Sequence, residues 1–242
     1  MPRLSGIRLS VYDPEVLADF YRSHLGMTAR ETADGWRVGY EGIDADILLR
    51  SGGAAYSPAR SDRYWKIGIT LPNVDMAFDQ LSAAGFDVSK PHQFRDIGYM
   101  CHLSDPEGFQ IELLQHEFEG KRPPGVGNPS LPLGGGARIG QITLRSGDID
   151  ASRRSCEDLG MRLLSVQPVT DFGFTLYFWA FTDDILPDPD FEAIENRNWL
   201  WKRAYTTLEI QHVDGLTPTR NPGYAGIVIE GPANTETVEN SI

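Results

Sequence analysis

One stretch of this chain recurs. Residues 7–27, IRLSVYDPEVLADFYRSHLGM, match residues 142–161, ITLRSGDIDASRRSCEDLGM, once a one-residue gap is allowed in the second copy. Each copy reads as an alternating strand, an Asp, a helical stretch and then Leu-Gly-Met. Self-similarity of this kind means that a supersecondary unit is used more than once, and it narrows the candidate folds more than any composition does.

The chemistry of the first copy explains its shape. Asp13 is a good N-cap, and Pro14 suits the first helical turn, where its missing N–H is not needed. Val16, Leu17, Phe20 and Tyr21 then fall on one helical face, and Gly26 ends the element. GWRVGYEGIDADILLRSG alternates apolar and polar residues between glycines, as strands joined by tight turns do, and completes a βαβββ unit over roughly 4–51.

A second unit opens at KIGITLPNVD, carries Val74, Phe78 and Leu81 on one helical face before Gly85, and closes with FQIELLQ. GKRPPGVGNPSLPLGGG, rich in Pro and Gly, reads as a linker. A third unit runs from Arg138 to about His212, with strands around GFTLYFWAF and TTLEIQH and an acidic insertion, TDDILPDPDFEAIENRN, read as a solvated loop. A fourth starts at GYAGIVIEG as a stub: Lys66 and Glu112 of the second unit are 46 residues apart, whereas 16 residues follow Gly226. The resulting expectation is an α+β fold of three βαβββ units plus a partial fourth, divided as 1–118 (first module), 119–136 (linker), 137–231 (second, incomplete module) and a frayed polar tail, 232–242.

The formal charge of -12 and pI near 4.8 repel phosphate backbones and anionic membranes, so nucleic acid and membrane are excluded as partners. No apolar stretch is long enough to cross a bilayer, and Met-Pro-Arg-Leu-Ser-Gly lacks the features of a signal peptide, which points to the cytoplasm. Cys101 and Cys156 have no metal-type spacing and read as buried thiols.

DPEGFQIELL (105–114) resembles the closing hairpin of the vicinal oxygen chelate superfamily, which joins glyoxalases, bleomycin resistance proteins and dioxygenases. IGQITLR (139–145), FTLYFWAFTDD (174–184) and WKRAYTTLEIQH (201–212) together resemble one half of eukaryotic-type glyoxalase I. The resemblance implies a funnel-like half-barrel formed by two paired units around a divalent metal ion such as zinc or nickel. It also implies a lyase or isomerase reaction on a small oxygenated or thiol-conjugated metabolite, with glutathione or another thiol as cosubstrate. Carried across residue by residue, it makes Glu112, Gln141 and Glu209 the metal ligands, Glu209 and Glu112 the proton-moving catalytic groups, and Arg145 the grip for a substrate carboxylate.

The departures are as specific. Lys66 and Gly226 occupy positions where the family has His, and the first unit has Gly6 and Leu48 at ligand positions. A complete set of side chains is therefore expected only where units two and three meet, with Lys66 facing the substrate. A protonated ammonium is no metal ligand, so Lys66 is also consistent with a metal-free small-molecule binding protein. Extradiol-type oxygen chemistry, which uses two His and one Glu, is the third alternative. His116, on the same side of its strand as Glu112, is the better substitute ligand, although at a strand end the plainer reading is a solvent-exposed histidine; His212 falls on the opposite side from Glu209, and His24, His92 and His102 read as structural. Trp199 and Trp201, near the insertion, suit either a cover over an apolar pocket or, more commonly for aromatic residues, burial in the core. An open edge on the third unit favours a homodimer.

Overall fold

A computed structural model describes residues 2–231 and 235–238. The first unit contains β1 (Arg3–Val11), α1 (Pro14–Leu25), β2 (Thr28–Thr32), β3 (Gly35–Gly39) and β4 (Asp46–Ser51). The second contains β5 (Tyr64–Leu71), α2 (Val74–Ala83), β6 (His92–Phe94), β7 (Gly98–Ser104) and β8 (Gln110–Gln115). The third contains β9 (Arg138–Ser146), α3 (Ile149–Asp158), β10 (Arg162–Val169), β11 (Phe174–Ala180), the inserted α4 (Glu195–Leu200) and β12 (Thr207–Val213). The stub supplies β13 (Tyr224–Glu230) and β14 (Thr235–Val238).

The same local device starts the helix of each unit. Asp13, Asn73 and Asp148 stand at the strand-to-helix junctions, and each side chain accepts a backbone N–H of the first turn, from Val16, Met76 and Ala151 respectively. Gly26 closes α1 in the left-handed conformation, at φ 74°. Val16 departs from the expected apolar face of α1: it is exposed, whereas Ala18 is buried with Leu17, Phe20, Tyr21 and Leu25.

Units pair out of chain order. β5 and β9 run antiparallel and join the second and third units into an eight-stranded sheet, β10-β11-β12-β9-β5-β8-β7-β6. The first unit pairs with the stub through antiparallel β1 and β13, in the six-stranded sheet β14-β13-β1-β4-β3-β2. Part of the segment expected to fray, Thr235–Val238, forms β14, which gives β13 a partner for its outer backbone edge; residues 232–234 and 239–242 lie outside the described residues.

A continuous core of Leu, Ile, Val and aromatic side chains lies under both sheets and their helices, while a second apolar cluster, including Met100, Leu114, Phe178 and Trp201, lies apart from it. The Pro/Gly-rich segment is strapped onto α2: Gln80 Nε2 donates to the carbonyls of Pro129 and Leu131, Asn73 Nδ2 to that of Val126, and Leu133 is fully buried.

The acidic insertion is a folded element rather than a solvated loop. Asn196 is buried and its amide closes the turn around it, Nδ2 donating to the carbonyls of Asp188 and Asp190 and Oδ1 accepting from the Asp188 N–H. Buried Arg197 reaches back to the second unit, 2.6 Å from Asp96 Oδ2. Two side chains thus satisfy a segment whose charges alone suggest exposure.

Among the described residues no helix is long and apolar enough to cross a membrane.

Candidate functional site

The strand register sets the site. Gly68 of β5 is paired with Glu112 of β8 on one side and with Gln141 of β9 on the other. His102 of β7 stands opposite Glu112, and Glu209 of β12 opposite Thr143 of β9. Alternate strand residues share a face, so Lys66 lies on the same side of β5 as Gly68, and these side chains converge on one face of the eight-stranded sheet.

Lys66, Glu112, Gln141 and Glu209 are each at most 4% exposed and are brought together. Lys66 Nζ donates to Glu112 Oε1 at 2.6 Å and to Glu209 Oε2 at 3.4 Å. Gln141 Nε2 donates to the same Glu112 oxygen at 2.9 Å. The other oxygen of Glu112 accepts from His102 Nε2 at 2.9 Å, and Glu209 Oε2 accepts from the Thr143 hydroxyl at 2.5 Å. Gly68 makes the Gln141 contact sterically available, since a Cβ there would fall 2.5 Å from Gln141 Cγ and Cδ.

Burial opposes each charge, and the partners decide the outcome. Burial alone pulls the Lys66 ammonium down, but the charges and hydrogen bonds of Glu112 and Glu209 outweigh it and leave its pKa above the ordinary lysine value. For Glu112, burial pushes up, yet Lys66 and the hydrogen bond from His102 pull the carboxyl down to about 2. Glu209 is raised: burial and the charge of Glu112 outweigh Lys66 and the Thr143 hydrogen bond.

These groups form the floor of a cavity of about 290 Å³. Its walls are apolar and largely aromatic, including Trp65, Phe94, Phe174, Phe178 and Trp201, and His92 and His102 line it as well. Gln141 lines the cavity, and its Oε1 is buried and has no hydrogen-bond partner. Trp201 is fixed by an Nε1–H bond to the Ile97 carbonyl, 3.1 Å, whereas Trp199 is stacked under Arg203 away from the cavity lining.

The donor set does not fit a divalent metal ion. The place where Glu112 and Glu209 converge is taken by a protonated ammonium that both carboxylates bond, and an ammonium has no lone pair to offer. Among the described residues no cluster of three or more His, Cys, Asp and Glu side chains is arranged to hold a metal ion.

Arg145 lies elsewhere. Its Nε donates to Gln211 and its Nη1 to the carbonyls of Ala59 and Asp62, and its guanidinium stands 4.9 Å from the centre of the Trp65 ring, outside the cavity lining. His116 is also outside it: its Nε2 is buried without a partner, and burial with the nearby Lys202 lowers its pKa to about 4. His212 is half-buried at the end of β12. Both cysteines are buried and free, their thiols pushed up to about 12 by burial.

His102 and Thr143 enter the site unannounced by any motif. A signal for His102 existed in the hairpin: counting outward from the Asp105–Gly108 turn, Ser104 pairs with Gln110 and His102 with Glu112. Thr143, two residues after Gln141, carries the same alternation.

Residues 3–113 match the family model of the Glyoxalase/Bleomycin resistance protein/Dioxygenase superfamily. Curated proteins give no significant sequence match. Among solved structures, glyoxalase I from Zea mays is similar over 95% of this chain and 74% of its own, at 18% identity and a TM-score of 0.67. A single-substitution mutant of the same maize enzyme is similar over the same shares at 20% identity and a TM-score of 0.67. At these identities the likeness is one of fold. The family model matches just under half of the chain, and the match over residues 3–113 and the likeness over nearly the whole chain agree on one fold, the glyoxalase-like vicinal oxygen chelate fold.

Proposed function

We propose that the chain is a metal-free small-molecule binding protein of this superfamily, taking an apolar, aromatic ligand into the cavity between the second and third units. The observation that carries this reading is the Lys66 ammonium, 2.6 Å from Glu112 and buried with it. It supplies the internal positive charge that two converging carboxylates require, and so stands in for an ion rather than holding one. The aromatic walls above it suit ligand retention. In this reading Arg145 positions Trp65, whose ring centre lies 4.9 Å from the Arg145 guanidinium and 4.7 Å from the Lys66 ammonium, rather than gripping a substrate carboxylate.

The test is metal content together with binding of an uncharged fluorescent aromatic such as 1-aminoanthracene. Protein purified without chelators is expected to contain no stoichiometric divalent ion and to bind the probe at one saturable site that EDTA leaves unchanged. A stoichiometric ion whose removal abolishes probe binding would overturn the reading.

A second reading, lyase or isomerase turnover of a thiol conjugate, is favoured by one observation: Glu209 lines the cavity with a raised pKa, which suits a group that takes up and returns a proton. Turnover of a glutathione hemithioacetal by the wild type, lost in Glu209→Gln with the fold intact, would favour it over simple binding. The extradiol donor set is not assembled: of the two histidines lining the cavity, His102 bonds Glu112 while His92 Nδ1 lies 3.1 Å from the Lys90 carbonyl.

A further inference from the structure

We propose that the ligand of this cavity is an uncharged aromatic molecule carrying a hydrogen-bond donor that Oε1 of Gln141 accepts; this rests on the binding function proposed above.

The orientation of the Gln141 amide is settled by its neighbour. Glu112 accepts from Lys66 and His102, so its carboxylate is an acceptor on both oxygens, and Gln141 must turn its nitrogen toward it. The carbonyl end is thereby left over. Oε1 is buried and without a partner in a side chain that is 2% exposed and lines the cavity. No donor of the floor reaches it: the Thr143 hydroxyl bonds Glu209, and the Lys66 ammonium bonds the two carboxylates. A buried acceptor without a partner is unfavourable by about a tenfold or larger factor in equilibrium terms, and a donor arriving with the ligand recovers that factor. The logic is that of a site built to hydrogen-bond a substrate group, which rejects an analogue lacking it.

Charge and shape supply the other two constraints. Among the described lining residues an anionic ligand finds no lysine or arginine free of carboxylates, because Lys66 is already bonded by Glu112 and Glu209. A cationic one competes with Lys66 for the same oxygens inside an apolar chamber. The walls present Trp65, Phe94, Phe178 and Trp201, which favour a flat ring system through stacked and edge contacts. The volume, about 290 Å³, is at the small end of ligand pockets and suits a compact fused-ring molecule.

Three probes separate these terms: 2-naphthol, which has a donor and is uncharged at neutral pH; 2-methoxynaphthalene, which lacks the donor; and 2-naphthoate, an anion. Binding is read at pH 7 by calorimetry and by quenching of tryptophan fluorescence. 2-Naphthol is expected to bind at least about tenfold more tightly than 2-methoxynaphthalene, with 2-naphthoate weakest. In Gln141→Leu, checked for fold by circular dichroism and replaced by Gln141→Met should it not fold, the advantage of 2-naphthol over the ether is expected to vanish. Equal affinities for 2-naphthol and its ether in the wild type, a gap that survives both substitutions, or a preference for 2-naphthoate would each overturn the inference while leaving the binding function standing. Failure of all three probes to bind, with the protein folded, would overturn the binding function itself.

Discussion

Gly68 lies between Glu112 and Gln141 in the strand ladder, and its missing side chain lets Gln141 Nε2 reach across β5 to Glu112 Oε1. A methyl group at this position would fall inside the Gln141 side chain. Gly68→Ala is therefore expected to displace Gln141 and to cost about 1–3 kcal/mol of stability, the range for overpacking a filled interior. Chemical denaturation checks this, and the cost should shrink in Gly68→Ala/Gln141→Ala, where the clash is gone. Equal losses in the single and double variants would show that Gln141 is not the obstacle.

Lys66 is the only cation bonded to Glu112 and Glu209 in the described floor, apart from any charge on His102. Lys66→Met leaves two buried carboxylates without it and is expected to destabilise the fold by about 3–5 kcal/mol near neutral pH. In the wild type, the depressed pKa of Glu112 contributes stability that is complete above about 4.5 and is lost as pH falls through about 2. Denaturation midpoints from pH 8 to 2 test both statements. Lys66→Met should lack that acid-side contribution and regain stability, relative to wild type, as the carboxylates protonate.

Lys66→His makes the opposite exchange. It removes the ammonium and places a neutral imidazole near Glu112, Glu209 and the unpaired Gln141 carbonyl, a donor set of the kind that zinc or nickel accepts. The variant is expected to bind one zinc or nickel ion per chain under conditions in which the wild type binds none. Isothermal titration with the metal salts checks it, and stoichiometric binding by the wild type would refute the account of Lys66 as the resident cation.

Asp105 offers a pH signature away from the cavity. Its carboxyl is pushed up to about 7, chiefly by burial, despite hydrogen bonds from Tyr21, Phe109 and Glu107. Since the folded state holds this proton more tightly than the unfolded chain, the contribution of Asp105 to stability falls as pH rises from about 4 to 7 and is flat above that. His116 acts in the opposite sense, losing stability as pH falls from about 6.5 through about 4, so the comparison must be with a variant. Asp105→Asn keeps an oxygen for the two backbone N–H groups and should gain on the wild type, by on the order of a few kcal/mol, as pH rises from 4 to 8. Melting curves that differ by a constant amount across this range would rule the shift out.

Arg197 ties the insertion to the cavity rim. Its guanidinium holds the carbonyl and carboxylate of Asp96 and the carbonyl of Glu192, next to the Ile97 carbonyl that fixes Trp201. Arg197→Ala is expected to cost about 2–4 kcal/mol and to weaken aromatic probe binding by loosening that wall. Unchanged affinity with a lowered melting temperature would confine Arg197 to a structural role.

The local chemistry of this chain was legible from its residues. The recurring strand, Asx cap, helix and Leu-Gly-Met motif encodes a βαβββ unit through contacts a few residues apart, and Asp13, Asn73 and Asp148 cap their helices as that chemistry requires. Glu112, Gln141, Glu209 and Lys66 could be named together because the family resemblance put them at ligand positions, and strand alternation allows each to face inward. Tertiary structure alone decided what they do to one another. The β5 and β9 pairing draws Lys66 onto two carboxylates far from it in the chain, and the β7 and β8 register adds His102. Arg145 turns to Gln211 and Trp65, and an insertion of acidic composition folds back to seat Trp201 in the wall. Caps and alternation are short-range and leave a mark in sequence, whereas the state of a buried charge depends on every partner that packing brings within a few ångströms, and those partners come from any part of the chain.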